Sequence, residues 1–260
     1  MIADHVLGAA GAPALMLHCM LGRARDWQGL LGAMVTPLAA RGFDLPGHGR
    51  SSPWDGASEL HALCTSLARD RCAPGHVVIG HSFGATVALR LALEGASALR
   101  ALVLIEPVLF AAAHGTSEAS EEALHAAALA ECFARGDLHA TARGFLARWG
   151  AGPPFDSLPR EAQARIAGRM PMVMATTALL RDDHAGLLRP GGLEGQDLPV
   201  MLLRGARSPR ITAIINHRLA HRLARAERDE IAGAGHMVPI THPHETAERI
   251  DRFLAQLPGA

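Results

Sequence analysis

The sequence predicts an α/β architecture, a mostly parallel, doubly wound sheet with a helical insertion, on three observations. First, residues 14–17, 76–79, 101–105 and 200–203 form short, nearly continuous apolar runs, the pattern of central strands covered on both faces. Second, helical patterns at 58–71, 83–94, 212–223 and 243–257 fall between and after these runs, so strand and helix alternate. Third, the alternation lapses between about residues 110 and 190, where an Ala- and Glu-rich stretch is helical in pattern and broken only at 150–154.

Taken in order, the first apolar run follows the breakers Gly11 and Pro13. A weaker strand pattern at 40–45 leads into Asp44-Leu-Pro-Gly-His-Gly49. The runs at 76–79 and 101–105 flank the helix at 83–94. Beyond the insertion come the run at 200–203, the helix at 212–223, a weak strand at 227–231 and the closing helix. The expected division is a core of residues 1–109 and 191–260 with an insertion at 110–190. No repeat or low-complexity linker interrupts it.

The chain has 260 residues, 49% of them hydrophobic, which suffices for one large core. Lys plus Arg number 25 and Asp plus Glu number 25. This balance argues against a nucleic-acid-binding role, which leans on excess cationic charge, and it gives no polybasic membrane signal. The chain contains no Lys and no Tyr. The first absence excludes Walker-type phosphate loops, Schiff-base chemistry and a pyridoxal phosphate anchor; the second excludes a Tyr/Lys hydride-transfer pair. The cysteines Cys19, Cys64, Cys72 and Cys132 have neither Cys-x-x-Cys nor zinc-type spacing, and read as reduced, buried small hydrophobes. No apolar run reaches membrane-spanning length, and the expected location is the cytoplasm. No metal or cofactor is expected.

The motif that carries chemistry is Gly80-His-Ser-Phe-Gly84, between a strand pattern and a helix pattern. A Gly-x-Ser-x-Gly in that context is a nucleophile elbow. The turn is tight enough to strain the serine, and glycines two positions either side let strand and helix approach. The Ser82 hydroxyl then stands at the carboxyl end of the sheet, where open α/β sheets bind ligands.

Together with His18-Cys-Met-Leu-Gly22, the 44–49 motif with Ser51 after it, and Gly233-Ala-Gly-His236, the elbow makes the chain resemble the α/β-hydrolase superfamily, in its compact bacterial form with a helical cap. The resemblance covers almost the whole length, and the insertion at 110–190 falls where that family carries its cap. It implies a serine-dependent hydrolase of a small acyl compound: a carboxylic ester or thioester, with carbon–carbon cleavage open.

His236 is the expected base, lying in a Gly-rich loop between the last strand and last helix. The family usually places an Asp in the loop after the strand that here is 200–203, but this loop reads Gly205-Ala-Arg-Ser-Pro-Arg210, with Ser208 in that position. Some relatives carry the acid one strand earlier, where this chain has Glu106. Pro107 is expected to bias Glu106 toward extended backbone. A Ser–His dyad, or an acid from Asp182 or Asp183, are the alternatives. The expected oxyanion donors are the amides of Phe83 and, from the resemblance, Met20. Cys19 stands where the family commonly has Gly.

Trp27, Phe110, Phe145, Trp149 and Met237 are candidate pocket residues. Arg23, Arg25, Arg207 and Arg210 lie in loops expected near the site and read as surface charge in preference to carboxylate binders. His217 and His221 have helical ligand spacing but no third ligand, and read as a solvated face. The rival functional readings are a binding protein that kept the fold without catalysis, and an acyltransferase or lyase using the same Ser–His pair. Substrate identity and oligomeric state are open.

Overall fold

The computed structural model describes residues 1–95 and 98–258. Seven strands form one sheet: β1 (Asp4–Val6), β2 (Ala12–Leu17), β3 (Leu38–Phe43), β4 (Val77–His81), β5 (Ala101–Ile105), β6 (Val200–Gly205) and β7 (Ala226–Ile231). Their spatial order is β1-β3-β2-β4-β5-β6-β7, with β1 antiparallel to β3 and every other pair parallel. The helices are α1 (Gln28–Ala33), α2 (Leu60–Arg71), α3 (Phe83–Leu93), α4 (Ser117–Ala134), α5 (Leu138–Trp149), α6 (Arg160–Ala167), α7 (Met170–Asp182), α8 (Arg210–Arg222), α9 (Val238–Thr241) and α10 (Pro243–Ala255).

The period-two alternation of strand side chains sorts the core into two layers. Leu15, Leu17, Val78, Leu102, Leu104 and Leu202 point to one face and meet α2, α3 and α8. Met16, Ile79, Val103, Met201 and Leu203 point to the other and meet α1, α9 and α10. Because the central strands are covered on both sides, they read as continuous apolar runs. Of the helices that cover them, α3 is buried nearly all round, every residue but Arg90, whereas α10 shows one-sided spacing. On α10 it is Ala247, Ile250, Phe253 and Leu254 that face the sheet.

One edge strand departs from the sequence expectation, and the other matches its weak pattern at 227–231. β1 carries no apolar run: it has three residues at the sheet edge, partly exposed, paired from Asp4 against Phe43 to Val6 against Arg41. β7 is the opposite edge, and its Ala-Glu-Arg-Asp-Glu-Ile sequence is charged because most of it meets solvent.

Between β5 and β6 the chain builds a 3-10 turn at Phe110–Ala113, then α4 to α7. α5, α6 and α7 share a small apolar cluster, Ala142, Phe155, Ala167, Met170 and Val173, with Met20 and Leu21 packed against it from the loop after β2, while Trp149, Met172, Leu179 and Leu180 join the sheet's own core.

Candidate active site

Ser82 is the single residue between β4 and α3. Its N–H still donates to Ile105 O on the neighbouring strand, at 2.8 Å, while its carbonyl already accepts from Ala85 and Thr86 of the helix, at 3.0 and 3.3 Å. Strand thus becomes helix across one residue, and the backbone of Ser82 is driven to φ 57°, ψ −116°. Only glycines fit beside so sharp a reversal: a Cβ on Gly80 would lie 2.4 Å from Gly84 O, and one on Gly84 would lie 2.2 Å from Leu17 O.

Three side chains from three loops meet there. Ser82 Oγ lies 2.9 Å from His236 Nε2, and His236 Nδ1 lies 2.9 Å from Glu106 Oε2. Because a carboxylate only accepts, Nδ1 carries the imidazole hydrogen and Nε2 accepts from the serine hydroxyl. The second Glu106 oxygen, Oε1, accepts the Gly205 amide at 2.7 Å. Glu106 is fully buried (0% exposed), while His236 and Ser82 retain 5% and 7%.

Glu106 adopts φ 52°, not the extended backbone that Pro107 suggests. Its amide donates to Leu203 O at 2.8 Å while its carboxylate reaches Gly205 N and His236, and this double anchorage outweighs the local preference. Neither alternative acid lies against His236. Asp182 pairs with Arg181 at 3.0 Å, and Asp183 accepts the amides of Leu187 and Leu188 at 2.8 Å. The Ser208 hydroxyl is buried without a hydrogen-bond partner.

The loop after β2 brings Met20 to the same place. Among the described residues, neither the Met20 nor the Phe83 amide is spent on a protein acceptor, and Phe83 opens α3, where the first amides have no partner within the helix. Two histidines tie the loop down. His18 donates from Nδ1 to Cys19 O, 2.7 Å, and accepts Leu45 N on Nε2, 2.9 Å. His48 donates from Nδ1 to Pro46 O and accepts Leu21 N on Nε2, each at 3.0 Å. The loops after β2 and β3 therefore clasp each other reciprocally. Burial pulls His18 down to about 4 and His48 down to about 3, so both work as neutral rings. Asp44 supports the second loop by accepting the amides of Ala24 and Arg50, at 2.8 and 2.9 Å. Burial raises its pKa, yet these amides and His5 more than offset that and hold it below the usual carboxylate range.

Sequence reasoning missed His81. Its Nε2 donates to the backbone carbonyl of His236 at 2.9 Å, and burial pulls its pKa down to about 3. Its place next to the serine in the elbow was the only available signal.

Two cavities meet at Ser82 and His236. The outer one, about 230 Å³, is lined by Met20, Phe145, Trp149 and Met237 among others. The inner one, about 50 Å³, shares Met20, Phe145 and Trp149 with it and adds Phe83, Phe110 and Glu122. The Trp149 ring stands edge-on to the His236 imidazole, centroids 4.7 Å apart. Trp27 lines neither cavity. It is 2% exposed in the core layer with α1 and α10, because the short 3-10 turn at Ala24–Trp27 directs it onto the sheet.

Arg23, Arg25, Arg207 and Arg210 are exposed and line neither cavity. Burial pushes the Cys19 thiol up to about 12, which makes it a poor nucleophile. His217 and His221 are exposed on α8, and no group of three His, Cys, Asp or Glu side chains suited to a metal occurs among the described residues.

The model of the alpha/beta hydrolase family matches residues 14–249. The chain belongs to this family. Among curated α/β-hydrolase relatives, lipase LipV of Mycobacterium tuberculosis is 37% identical over 102 residues, 38% of each chain. A pimeloyl-[acyl-carrier protein] methyl ester esterase of Nitrosomonas europaea is 32% identical over 106 residues, 40% of this chain and 41% of that one. Each match thus spans about two fifths of the relative. Solved structures align over nearly the whole chain. A carboxylesterase of the thaumarchaeon Nitrososphaera gargenis superposes with a TM-score of 0.68 at 19% identity, covering 98% of this chain and 93% of that one. MenH from S. aureus gives 0.65 at 20% identity, covering 98% of both. At such identities these neighbours speak for the fold.

Proposed function

We propose that this α/β hydrolase is a serine-dependent hydrolase of a small acyl compound, a carboxylic ester or thioester, with Ser82 as nucleophile, His236 as general base and Glu106 as the acid of the triad. The reading rests on one observation, the unbroken hydrogen-bond relay from Ser82 Oγ through the imidazole to the Glu106 carboxylate. The partial matches to a named lipase and a named methyl ester esterase favour carboxylic esters.

In this mechanism Ser82 Oγ attacks the substrate carbonyl as its proton passes to His236 Nε2. The carbonyl oxygen becomes an oxyanion held by the amides of Phe83 and Met20. Glu106 stabilises the imidazolium through Nδ1 and keeps the ring in register. The carbonyl re-forms, the bond to the leaving oxygen or sulfur breaks, and His236 gives that atom its proton. Water, deprotonated by the same imidazole, then attacks the acyl-serine, releasing the carboxylic acid and restoring the hydroxyl. Trp149 excludes water from one edge of the imidazole during acylation. Residues 110–190 act as a cap over the site, with Phe110, Phe145, Trp149 and Met237 as substrate contacts.

A fluorophosphonate probe tests the reading. One equivalent should attach at Ser82, and Ser82→Ala should abolish both labelling and ester turnover. A folded protein that neither labels nor hydrolyses any member of a graded panel of esters and thioesters is instead a binding protein on this fold.

A further inference from the structure

The inner cavity has a charged far end. At one end it shares Ser82, His236, Met20, Phe145 and Trp149 with the outer cavity. At the other it shares Phe110, Glu122, Ala126 and Thr177 with a smaller recess beyond. The shared lining puts Glu122 on α4 at the opposite end of the chamber from the nucleophile. Between them the walls are mostly apolar: Val108, Leu129, Val173 and Leu180 complete them.

Glu122 is only 7% exposed, an unusual position for a carboxylate. Arg148 Nε donates to its Oε2 at 2.6 Å, and no donor within the described residues reaches Oε1. Arg148 is shared: its Nη1 also donates to Glu121 Oε1 at 3.1 Å. Two carboxyl groups thus share one guanidinium, and Glu122 holds only one of its donors. Burial pushes Glu122 up to about 7, with Arg148 opposing, so the carboxyl pays for its position unless a further donor arrives.

Beside Glu122 the chamber's polar side chains are two threonines, the donors Ser82 and Trp149 lying at the other end with His236. Thr176 and Thr177 spend their hydroxyl hydrogens on carbonyls of their own helix, Thr176 toward Val173 O at 3.0 Å and Thr177 toward Val173 O at 2.8 Å. What they present to the cavity is oxygen lone pairs. The chamber therefore combines an apolar stem with a far end where the free Glu122 oxygen and the threonine oxygens can accept, with Arg181 and His114 lining the recess beyond.

We infer that the substrate arm entering this chamber has an apolar stem ending in a hydrogen-bond donor, a hydroxyl or an ammonium group, and that Glu122 is the residue that selects it. The same chamber rejects an arm ending in a carboxylate. This inference rests on the proposed hydrolase reading and names the substrate class for it.

The test uses matched p-nitrophenyl esters of heptanoate, 6-hydroxyhexanoate, 6-aminohexanoate and the adipate monoester, so only the acyl terminus varies. A second series, acetate esters of heptanol, 1,6-hexanediol and 6-aminohexanol, places the same termini on the alcohol side. In one series the donor-ended member should exceed its methyl-ended partner in kcat/KM by roughly tenfold or more, the worth of one hydrogen bond to a charged group. Within the acyl series, the adipate monoester should fall below heptanoate. Glu122→Leu should reverse the donor preference. Glu122→Gln, which keeps an acceptor but no charge, should retain a preference for hydroxyl and lose that for ammonium. Calorimetric binding of the same pairs to Ser82→Ala gives the ratio without turnover. If wild-type enzyme turns over no ester, the hydrolase reading fails, and the binding ratio still decides the selectivity. Equal binding and equal kcat/KM for donor- and methyl-ended partners in both series overturn the inference.

Discussion

His81 Nε2 donates to the main-chain carbonyl of His236 at 2.9 Å, so the residue preceding Ser82 holds the loop that carries His236. The two rings lie 5.2 Å apart, both buried. In the proposed mechanism this bond fixes the height of the imidazole above Ser82. His81→Leu should lower kcat by roughly 100-fold, the usual scale for an ångström-sized misplacement, with KM little changed. His81→Gln, which can still donate, should recover part of the loss. A change in KM alone, or full activity in His81→Leu, would argue against a positioning role.

Glu106→Gln should leave the fold intact and lower kcat on the order of 10,000-fold, since an amide in place of the carboxylate stabilises the wrong imidazole tautomer. Ser208→Ala should change turnover little and leave stability unchanged or slightly raised, because it deletes a buried hydroxyl that has no partner. Steady-state kinetics with thermal melts check both, and a larger loss in Ser208→Ala would sink the acid assignment.

Acid should loosen the reciprocal histidine clasp. His18 and His48 are held near 4 and 3, against 6.5 for a free histidine. The unfolded chain therefore binds more protons in this window, so stability is full above 6.5 and falls as pH drops toward 4. Urea midpoints measured from pH 7 to pH 4 should decline. His48→Gln should flatten that decline, and a slope unchanged in that variant would contradict the assignment.

Gly84→Ala should destabilise by about 3 kcal/mol or more, or prevent folding, because its methyl group would meet Leu17 O of β2 head-on. Gly152→Ala, where a Cβ meets nothing within 4 Å, should cost far less. Denaturant titration of the pair provides the comparison.

The central strands and their helices were legible because burial on both faces writes a continuous apolar run, as in β4 and β5. The edges were fainter: β1, three part-exposed residues, left no signal, and β7, mostly charged, left only a weak one. At the site, Ser82 and His236 announce themselves through glycine spacing, which the close approach at Gly80 and Gly84 and the φ of 78° at Gly233 require. Glu106 carries no such mark. Its usefulness depends on Gly205 and His236, 99 and 130 residues further along the chain, and its φ of 52° runs against the local rule set by Pro107. Trp27 looked like a pocket residue because it follows the loop after β2, but a single 3-10 turn directs it the other way. His18, His48 and His81 were visible as motif letters, and only the folded geometry distinguishes a fastening from a reagent.

Helices α5, α6 and α7 rest on an apolar cluster of their own, touched from below by Met20 and Leu21. Under the proposed function, that seam divides reaction hardware from molecular taste. Substitutions inside that cluster should alter which guests are admitted more than they alter the elbow, whereas Trp149, Met172, Leu179 and Leu180 tie α5 and α7 into the sheet's own core. A lineage carrying this arrangement can therefore change diet quickly and mechanism slowly.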